Sequence, residues 1–321
     1  MTDHHAEARP LGGGPAPIAV AGLAPALLAG ILYLGSTAET VQWGRCGFLC
    51  ASAMELRVPP PGTSPLWALM GWLWLRIAPI AEPAHSLAVM SGIVGAAAVG
   101  VTGLACLEVI RAARGPNPEV THAPGLRDLL LAATIAMGAA ASSTQWGAST
   151  AADSRGLSVL LAAGFIYLCL RWRRQRRLTR WSAVALGMVG GLGLTQHLLF
   201  FFIAVSGLGP LLIANASEPT PEEDTARLSA PGALWPALLG LALGLLPVLM
   251  LVFAAPAYPD GLWPTPAGWG AFEYLVVGVT GTAPFDAGTS GGHILARVRI
   301  VELARDVGWL PLIGIALGLV W

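Results

Sequence analysis

The sequence contains no lysine and few charged residues of any kind. All 18 basic residues are arginine, charged residues make up 11% of the 321 residues, and the formal net charge is zero. Soluble chains carry roughly 25% charged residues, so this chain cannot cover itself with polar surface. The absence of lysine excludes a phosphate-binding loop of the Walker type and any lysine Schiff base. The zero net charge argues against a nucleic-acid partner.

Apolar residues make up most of the chain. Hydrophobic residues account for 55% of the sequence, and the mean hydropathy is +0.66. Lipid rather than water must cover a chain of this composition, and one helix needs about 20 apolar residues to cross a bilayer. The sequence therefore predicts an all-α fold, a polytopic transmembrane helical bundle of about eight spans with outward-facing loops.

The four cysteines do not have the spacing of a zinc or redox motif. Cys46 and Cys50 are close in sequence, but no further metal ligands accompany them. We therefore predict no metal-ligating residues and no cofactor, and the sequence leaves open whether a divalent metal takes part in the function.

Charged residues mark the gaps between the predicted spans. We assign residues 1–16 to a cytoplasmic N-terminal tail and residues 17–321 to one transmembrane domain. The last apolar segment, 307–321, is shorter than the about 20 residues of a span, so we expect the domain to continue beyond it. The predicted spans are 18–36, 83–107, 129–145, 150–170, two within 181–217, 234–255 and the incomplete 307–321.

The uncharged segment 181–217 is too long for one span and has the length of two. Gly190, Gly191 and Gly193 precede Thr195 near its middle. Such a glycine cluster is typical of a turn, so we predict that a helical hairpin turns there.

An arginine-rich loop between residues 171 and 180 predicts the orientation. Short arginine-rich loops remain in the cytoplasm. Counting spans from this loop places the N-terminus in the cytoplasm and residues 37–82, 146–155 and 256–306 outside. Ionisable groups at a membrane surface are costly, so those in the outward segments are candidates for function.

Four short motifs lie on the predicted outer face, in order along the chain, three of them in the outward segments and one at the predicted turn of the hairpin in 181–217. They are Trp43-Gly44-Arg45-Cys46-Gly47-Phe48 with Pro59-Pro60-Pro61-Gly62 and Pro65-Leu66-Trp67; Trp146-Gly147-Ala148-Ser149; Gly193-Leu194-Thr195-Gln196-His197-Leu198; and Trp263-Pro264-Thr265-Pro266 with Gly270-Ala271-Phe272. In these motifs the chain resembles a family of bacterial polytopic proteins, first catalogued as a domain of unknown function and now grouped with the GT-C glycosyltransferases. Its animal relative is a transmembrane protein O-mannosyltransferase.

The resemblance implies a GT-C-like fold and a reaction. The reaction is transfer of a sugar from a polyprenyl-phosphate carrier to an acceptor hydroxyl on the outer membrane face. The implied partners are membrane lipid, the polyprenyl-phosphate sugar and a protein acceptor, with no nucleic acid. The implied location is the bacterial inner membrane.

The first motif departs from the family at its acidic positions. Arg45 and Phe48 stand where the family has an acidic pair, and Pro59 stands where it has a histidine. An acidic residue of the first outward loop is the expected base in GT-C enzymes. The chain is therefore either an enzyme whose base has moved or an inactive membrane subunit that kept the scaffold, and we favour the enzyme. A transporter is less well supported, because no repeated pair of broken helices is found in the sequence.

Two carboxylates are candidates for the catalytic base. Asp153 matches an acidic position of the second family motif, and Glu39 lies at the outer end of the first span. The alternative for Asp153 is a structural ion pair with Arg155 or Arg45. The alternative for Glu39 is a solvated charge at a helix end. The same alternative applies to Glu55, on the helix after the first motif.

The remaining candidates are assigned to substrate binding. Arg45 and His197 suit a phosphate group, arginine because its forked donors match phosphate oxygens. The alternative for His197 is a structural role at a helix end. The alternative for the tryptophans is anchoring of the chain at the membrane interface. We expect these groups to share one outward cavity with Asp153. The predicted substrate-binding residues are Trp43, Arg45, Arg155, Gln196, His197 and Trp263.

Overall fold

The computed structural model of the chain describes residues 19–42, 45–59, 64–78, 80, 82–113, 124–175, 179–196, 200 and 230–254. The regular structure within these ranges is entirely helical, which confirms the predicted all-α class. The helices, numbered in chain order, are α1 (Ala24–Leu34, after a π-helical turn Ala19–Leu23), α2 (Arg45–Glu55), α3 (Pro65–Ile77), α4 (Pro83–Ala113), α5 (Leu126–Ala140), α6 (Ser143–Thr150), α7 (Arg155–Gln175), α8 (Arg180–Leu194) and α9 (Ala230–Ala254).

Three of these helices are long and apolar enough to cross a membrane. α5 and α6 form a fourth candidate span when counted together, although they are bent by 68° at their junction. Large exposed apolar side chains, such as Ile31 at 71% and Met250 at 61%, suit a surface covered by lipid. The prediction of about eight spans stays a prediction, since the helix in the first predicted span is short and the last span lies outside the described residues. The three spans are Pro83–Ala113, Arg155–Arg173 and Leu234–Ala254.

The third predicted span, residues 129–145, is not one straight helix. α5 ends at Ala140, and Ser142 then starts α6 by accepting the backbone N–H of Gln145 at 3.3 Å. Serine is common at the N-cap of a helix because its hydroxyl accepts a hydrogen bond from a backbone N–H of the first turn. α7 accordingly begins at Arg155, later than the predicted start at residue 150.

Close contacts between small residues show how neighbouring helices run. α1 is antiparallel to α4, α7 is parallel to α4, and α8 is parallel to α9. The contacts pair Gly100 with Ala26 and Gly92 with Leu34; Gly156 with Gly95 and Gly164 with Val101; and Gly187 with Ala237 and Gly191 with Leu241.

α2 and α3 lie together at one end of the bundle, which we call the α2–α3 end. The indole of Trp74 in α3 donates to the backbone oxygen of Ser86, near the start of α4, at 2.9 Å. Val58, which follows α2, packs on Leu251 and Val252 near the end of α9. The starts of α4 and α7 and the ends of α1, α8 and α9 therefore meet at this end, which is the one that the arginine-rich loop predicts to be outside.

The glycines of α8 form a helix contact. The predicted turn follows these glycines, at Thr195 and Gln196, while Gly190, Gly191 and Gly193 themselves lie inside α8, which continues to Leu194. Gly191 instead packs against α9, where an added Cβ would lie 2.9 Å from the Cα of Gly244. In lipid, helices associate through small residues that let their backbones approach, so glycine is needed here for packing.

We predict that Gly191→Ala destabilises the protein in detergent by about 1–3 kcal/mol, the usual range for overpacking. The matched control is Gly138→Ala in α5, where an added Cβ would meet no atom within 4 Å. Thermal unfolding of both variants measures the difference. Equal melting temperatures would contradict the close packing of α8 on α9.

The predicted orientation is tested by cysteine labelling in intact cells. Glu39→Cys, at the α2–α3 end, should react with a membrane-impermeant maleimide, whereas Gln175→Cys, at the end of α7, should react only after permeabilisation. The physical reason is that the arginine-rich loop after α7 resists translocation. The unsubstituted chain gives the background of its own cysteines, and the opposite labelling pattern would reverse the orientation.

Candidate functional site

Asp153 lies in the link between α6 and α7, at the α2–α3 end. The residue is 8% exposed. Its Oδ2 accepts hydrogen bonds from Arg155 Nε at 2.9 Å and Nη2 at 2.6 Å, and its Oδ1 accepts the backbone N–H of Arg155 at 2.9 Å. The last bond is a local turn that aspartate often forms, and it places the carboxylate at the start of α7, where the helix dipole favours negative charge.

The ion pair has one buried and one exposed partner. The side chain of Asp153 is 10% exposed and that of Arg155 is 43% exposed. Water therefore screens the pair on the arginine side, while the carboxylate is held within the protein. Both the catalytic prediction for Asp153 and its alternative, an ion pair with Arg155, are consistent with this geometry.

The first turn of α2 lies close to this ion pair. Burial raises the pKa of the Cys46 thiol, the Asp153 carboxylate raises it further, and the Arg155 guanidinium lowers it. Arg45 precedes Cys46 in the same turn, so the backbone of Arg45 lies at the α2–α3 end, although its side chain is outside the described residues.

Gln196 follows α8 and is buried, at 6% exposed. The Ser64 hydroxyl accepts the backbone N–H of Trp67 at 3.1 Å and donates its proton to Gln196 Oε1. This contact turns Gln196 Nε2 away from Ser64. Among the described residues, three buried polar atoms have no hydrogen-bond partner: Gln196 Nε2, Trp67 Nε1 and Ser52 Oγ. All three belong to elements that meet at the α2–α3 end.

Glu39 also lies at this end but is exposed. Its neighbour Ala38 is held in place, because its N–H donates to the backbone oxygen of Thr150 at 2.7 Å and its carbonyl contacts His85 Nδ1 at 3.1 Å. Glu55 pairs with Arg57 and is 47% exposed. The structure thus places both glutamates in solvent and Asp153 in the protein.

Several predicted residues lie outside the described part of the chain. These are Trp43, His197 and Trp263, together with the side chain of Arg45. Within the described residues, no group of three or more histidine, cysteine, aspartate or glutamate side chains is placed to hold a metal ion.

Two polar residues of this end were not predicted from the sequence. Ser64 caps α3, and Pro65 is the first residue of that helix. Serine followed by proline is a known signal for the start of a helix, so sequence analysis can find this residue. Ser91 is bonded to the backbone of Asp153. It lies inside a long apolar helix, and only the tertiary structure shows its partner.

More than half of the chain matches a known protein family. The sequence profile of the family described as Protein O-mannosyl-transferase TMEM260 N-terminal domain matches residues 45–220, more than half of the chain. The chain belongs to this family. This confirms the predicted family, and the matched range contains the first three motifs from Arg45 onward. The fourth motif, at 263–272, follows the matched range. No curated protein and no solved structure shows a significant match.

The TMEM260 match contains most of the candidate site. It begins at Arg45 and includes Asp153, Arg155, Gln196 and His197. Glu39 and Trp43 precede the matched range, and Trp263 follows it. Asp153, Arg155, Gln196 and the start of α2 therefore lie within the part of the chain that matches the family.

The position of α2 beside the ion pair is tested by the Cys46 thiol. Asp153→Asn should lower its pKa and speed its alkylation at fixed pH, and Arg155→Gln should slow it. We expect changes of about two- to tenfold, where tenfold corresponds to one pKa unit. Mass spectrometry that separates Cys46 from Cys50 measures the rate over a range of pH.

The control is Glu82→Gln, which removes an exposed carboxylate before α4 and should leave the Cys46 pH profile unchanged. Identical profiles in all three variants would show that α2 does not lie beside the ion pair.

Proposed function

We propose that the protein is a membrane glycosyltransferase that moves a sugar from a polyprenyl-phosphate carrier to an acceptor hydroxyl, as a protein O-mannosyltransferase does. Membership in the TMEM260 family supports a glycosyltransferase-like function. The observation that carries the proposal is Asp153, a buried carboxylate within the matched range, at the end of the bundle where Gln196 and the start of α2 also lie.

Asp153 has the chemistry of a general base. In the proposed reaction the acceptor oxygen bonds to the sugar, its proton passes to the carboxylate, and the carrier phosphate leaves with the electrons of the broken bond. A carboxylate oxygen has two lone pairs. Oδ1 of Asp153 accepts one hydrogen bond, from Arg155 N, so it has the capacity to accept one from an acceptor hydroxyl.

The neighbouring groups suit the donor. The Arg155 guanidinium places positive charge at the α2–α3 end, where a departing phosphate would need it. In this proposal Arg45 and His197 also bind the phosphate, and Trp43 and Trp263 form the wall of the cavity. Gln196 Nε2 is buried without a partner among the described residues, which suits binding of a sugar oxygen.

The membrane location fits a lipid-linked donor. A polyprenyl chain can remain in the bilayer beside the exposed apolar faces of the helices while only its head group enters the protein. In this proposal the α2–α3 end faces outward from a bacterial inner membrane, the N-terminus is cytoplasmic, and the acceptor is a protein.

Two observations favour a second candidate, a catalytically inactive member of the family. Arg45 and Phe48 occupy the acidic positions of the first motif, and the carboxylate of Asp153 is bonded to Arg155 through both oxygens. A carboxylate in this position also stabilises the start of α7. In this alternative the ion pair is structural and the protein is a subunit of a membrane assembly.

We expect Asp153→Asn to reduce sugar transfer about 100-fold or more, the usual effect of losing a general base. The asparagine keeps the size of the side chain, so membrane insertion and folding should persist. Transfer from radiolabelled polyprenyl-phosphate mannose to a peptide or protein acceptor measures the activity, and substitution of Arg45 or His197 should instead raise KM for the donor.

Glu39→Gln and Glu55→Gln serve as controls, since both glutamates are exposed and neither contacts Asp153 in the described structure. Full activity of Asp153→Asn with loss of activity in one of these controls would move the base to that glutamate. No transfer by the unsubstituted protein from any polyprenyl-phosphate sugar would favour the inactive subunit.

A further inference from the structure

One side chain of α4 binds both backbone polar groups of Asp153. The Ser91 hydroxyl donates to the Asp153 carbonyl oxygen at 3.3 Å and accepts the Asp153 N–H at 3.3 Å. Ser91 is 1% exposed. A hydroxyl has one proton to donate and lone pairs to accept, so this single group pairs with both the backbone N–H and the backbone C=O of Asp153.

The surroundings of Ser91 leave the link between α6 and α7 little room. At Gly92 of α4 an added Cβ would lie 3.2 Å from the backbone oxygen of Ser149, and at Gly156 it would lie 3.6 Å from the Cα of Gly95. The end of α6 and the start of α7 therefore rest almost directly on the backbone of α4. Within this contact Ser91 hydrogen-bonds to the backbone of the link between α6 and α7.

We propose that Ser91 is a positioning residue for the Asp153 carboxylate. The proposal rests on the proposed function, because it gives Ser91 a role in the same reaction. The Cα position of Asp153 sets the direction of its side chain, and Ser91 fixes the atoms on both sides of that Cα. Arg155 holds the carboxylate itself and is 43% exposed, whereas the buried Ser91 holds the backbone that carries the carboxylate.

A small displacement of a base has a large effect on rate. A catalytic group acts efficiently only within a fraction of an ångström of its productive position. Without the hydroxyl, the N–H and C=O of Asp153 would be buried without partners, and the link would shift to find others. Binding of the donor would be unaffected, since Ser91 itself is buried beneath Asp153.

The first test is kinetic. Ser91→Ala should lower kcat about tenfold or more and leave KM for the lipid-linked sugar unchanged. Ser91→Thr, which keeps the hydroxyl, should recover most of the loss. If Ser91→Ala does not fold, Ser91→Cys gives the same comparison with a side chain of similar size and a weak donor.

Ser86→Ala is the matched control on the same helix. Ser86 is also buried, and its hydroxyl also bridges two partners, because it donates to Ala78 O at 3.0 Å and accepts from Trp74 Nε1 at 3.1 Å. Its partners belong to α3 and the residue after it. A general loss of stability would therefore affect both variants, whereas a positioning effect on Asp153 would appear only in Ser91→Ala.

The second test does not require activity. If Ser91 positions the carboxylate, Ser91→Ala should shift the pH profile of Cys46 alkylation, and Ser86→Ala should not. This readout is independent of the proposed function, because it reports the place of the Asp153 charge whether or not the protein transfers sugar.

The outcomes separate the two proposals. Normal kcat in Ser91→Ala, beside an inactive Asp153→Asn, would overturn the role of Ser91 and leave the proposed function standing. Absence of transfer by the unsubstituted protein would overturn the proposed function, and the Cys46 profile alone would then decide whether Ser91 positions Asp153. An unchanged profile in Ser91→Ala would overturn the positioning role in either case.

Discussion

The bundle depends on close approach between helix backbones through residues with little or no side chain. In lipid, burying an apolar side chain between helices gains little free energy, because the lipid tails are equally apolar. Helices therefore associate mainly through packing contacts and hydrogen bonds between them. α4 supplies many of these contacts, through Gly92, Gly95 and Gly100 against α1, α6 and α7, and through Gly103 against the π-helical turn and α5. α8 and α9 pack on each other in the same way, through glycines on both helices such as Gly191 and Gly244.

This constraint also determines where polar groups can lie. Because α6 and α7 lie against small residues of α4, the link between them contacts Ser91. The carboxylate of Asp153, which is part of this link, accepts a hydrogen bond at the start of α7. At the other end of α4, the buried Glu108 pairs with Arg111 at 2.7 Å. The helix is 31 residues long, about 46 Å at about 1.5 Å per residue, against a hydrocarbon core of about 30 Å. Both polar ends of α4 can thus lie outside the apolar layer.

The same arrangement explains why Asp153 admits two interpretations. A buried carboxylate needs a partner, because an uncompensated charge within a protein is strongly destabilising. Arg155 meets this need from a partly exposed position, and the start of α7 adds a favourable dipole. These interactions keep the group in place in either role. The family relationship and the acceptor capacity of Oδ1 favour the base.

Composition and motif order determined the class of the protein and its family. Few charges and long apolar segments are sufficient for a helical membrane bundle. Short motifs in order along the chain were sufficient to predict the family that the match to residues 45–220 confirms. Hydropathy also located α4 and α9 well, since a long apolar helix has a strong signal. It did not show the bend after Ala140, because a serine cap changes backbone direction with little change in hydropathy.

The tertiary structure decided the roles that depend on partners distant in sequence. A glycine cluster is equally consistent with a turn and with a helix contact, and only the position of α9 shows that Gly191 belongs to the second class. Asp153 and Arg155 are two residues apart, so their pairing could be anticipated. Ser91 lies far from Asp153 in sequence, and no local pattern relates them. Folding brings them together because the small residues of α4 let the link between α6 and α7 approach its backbone.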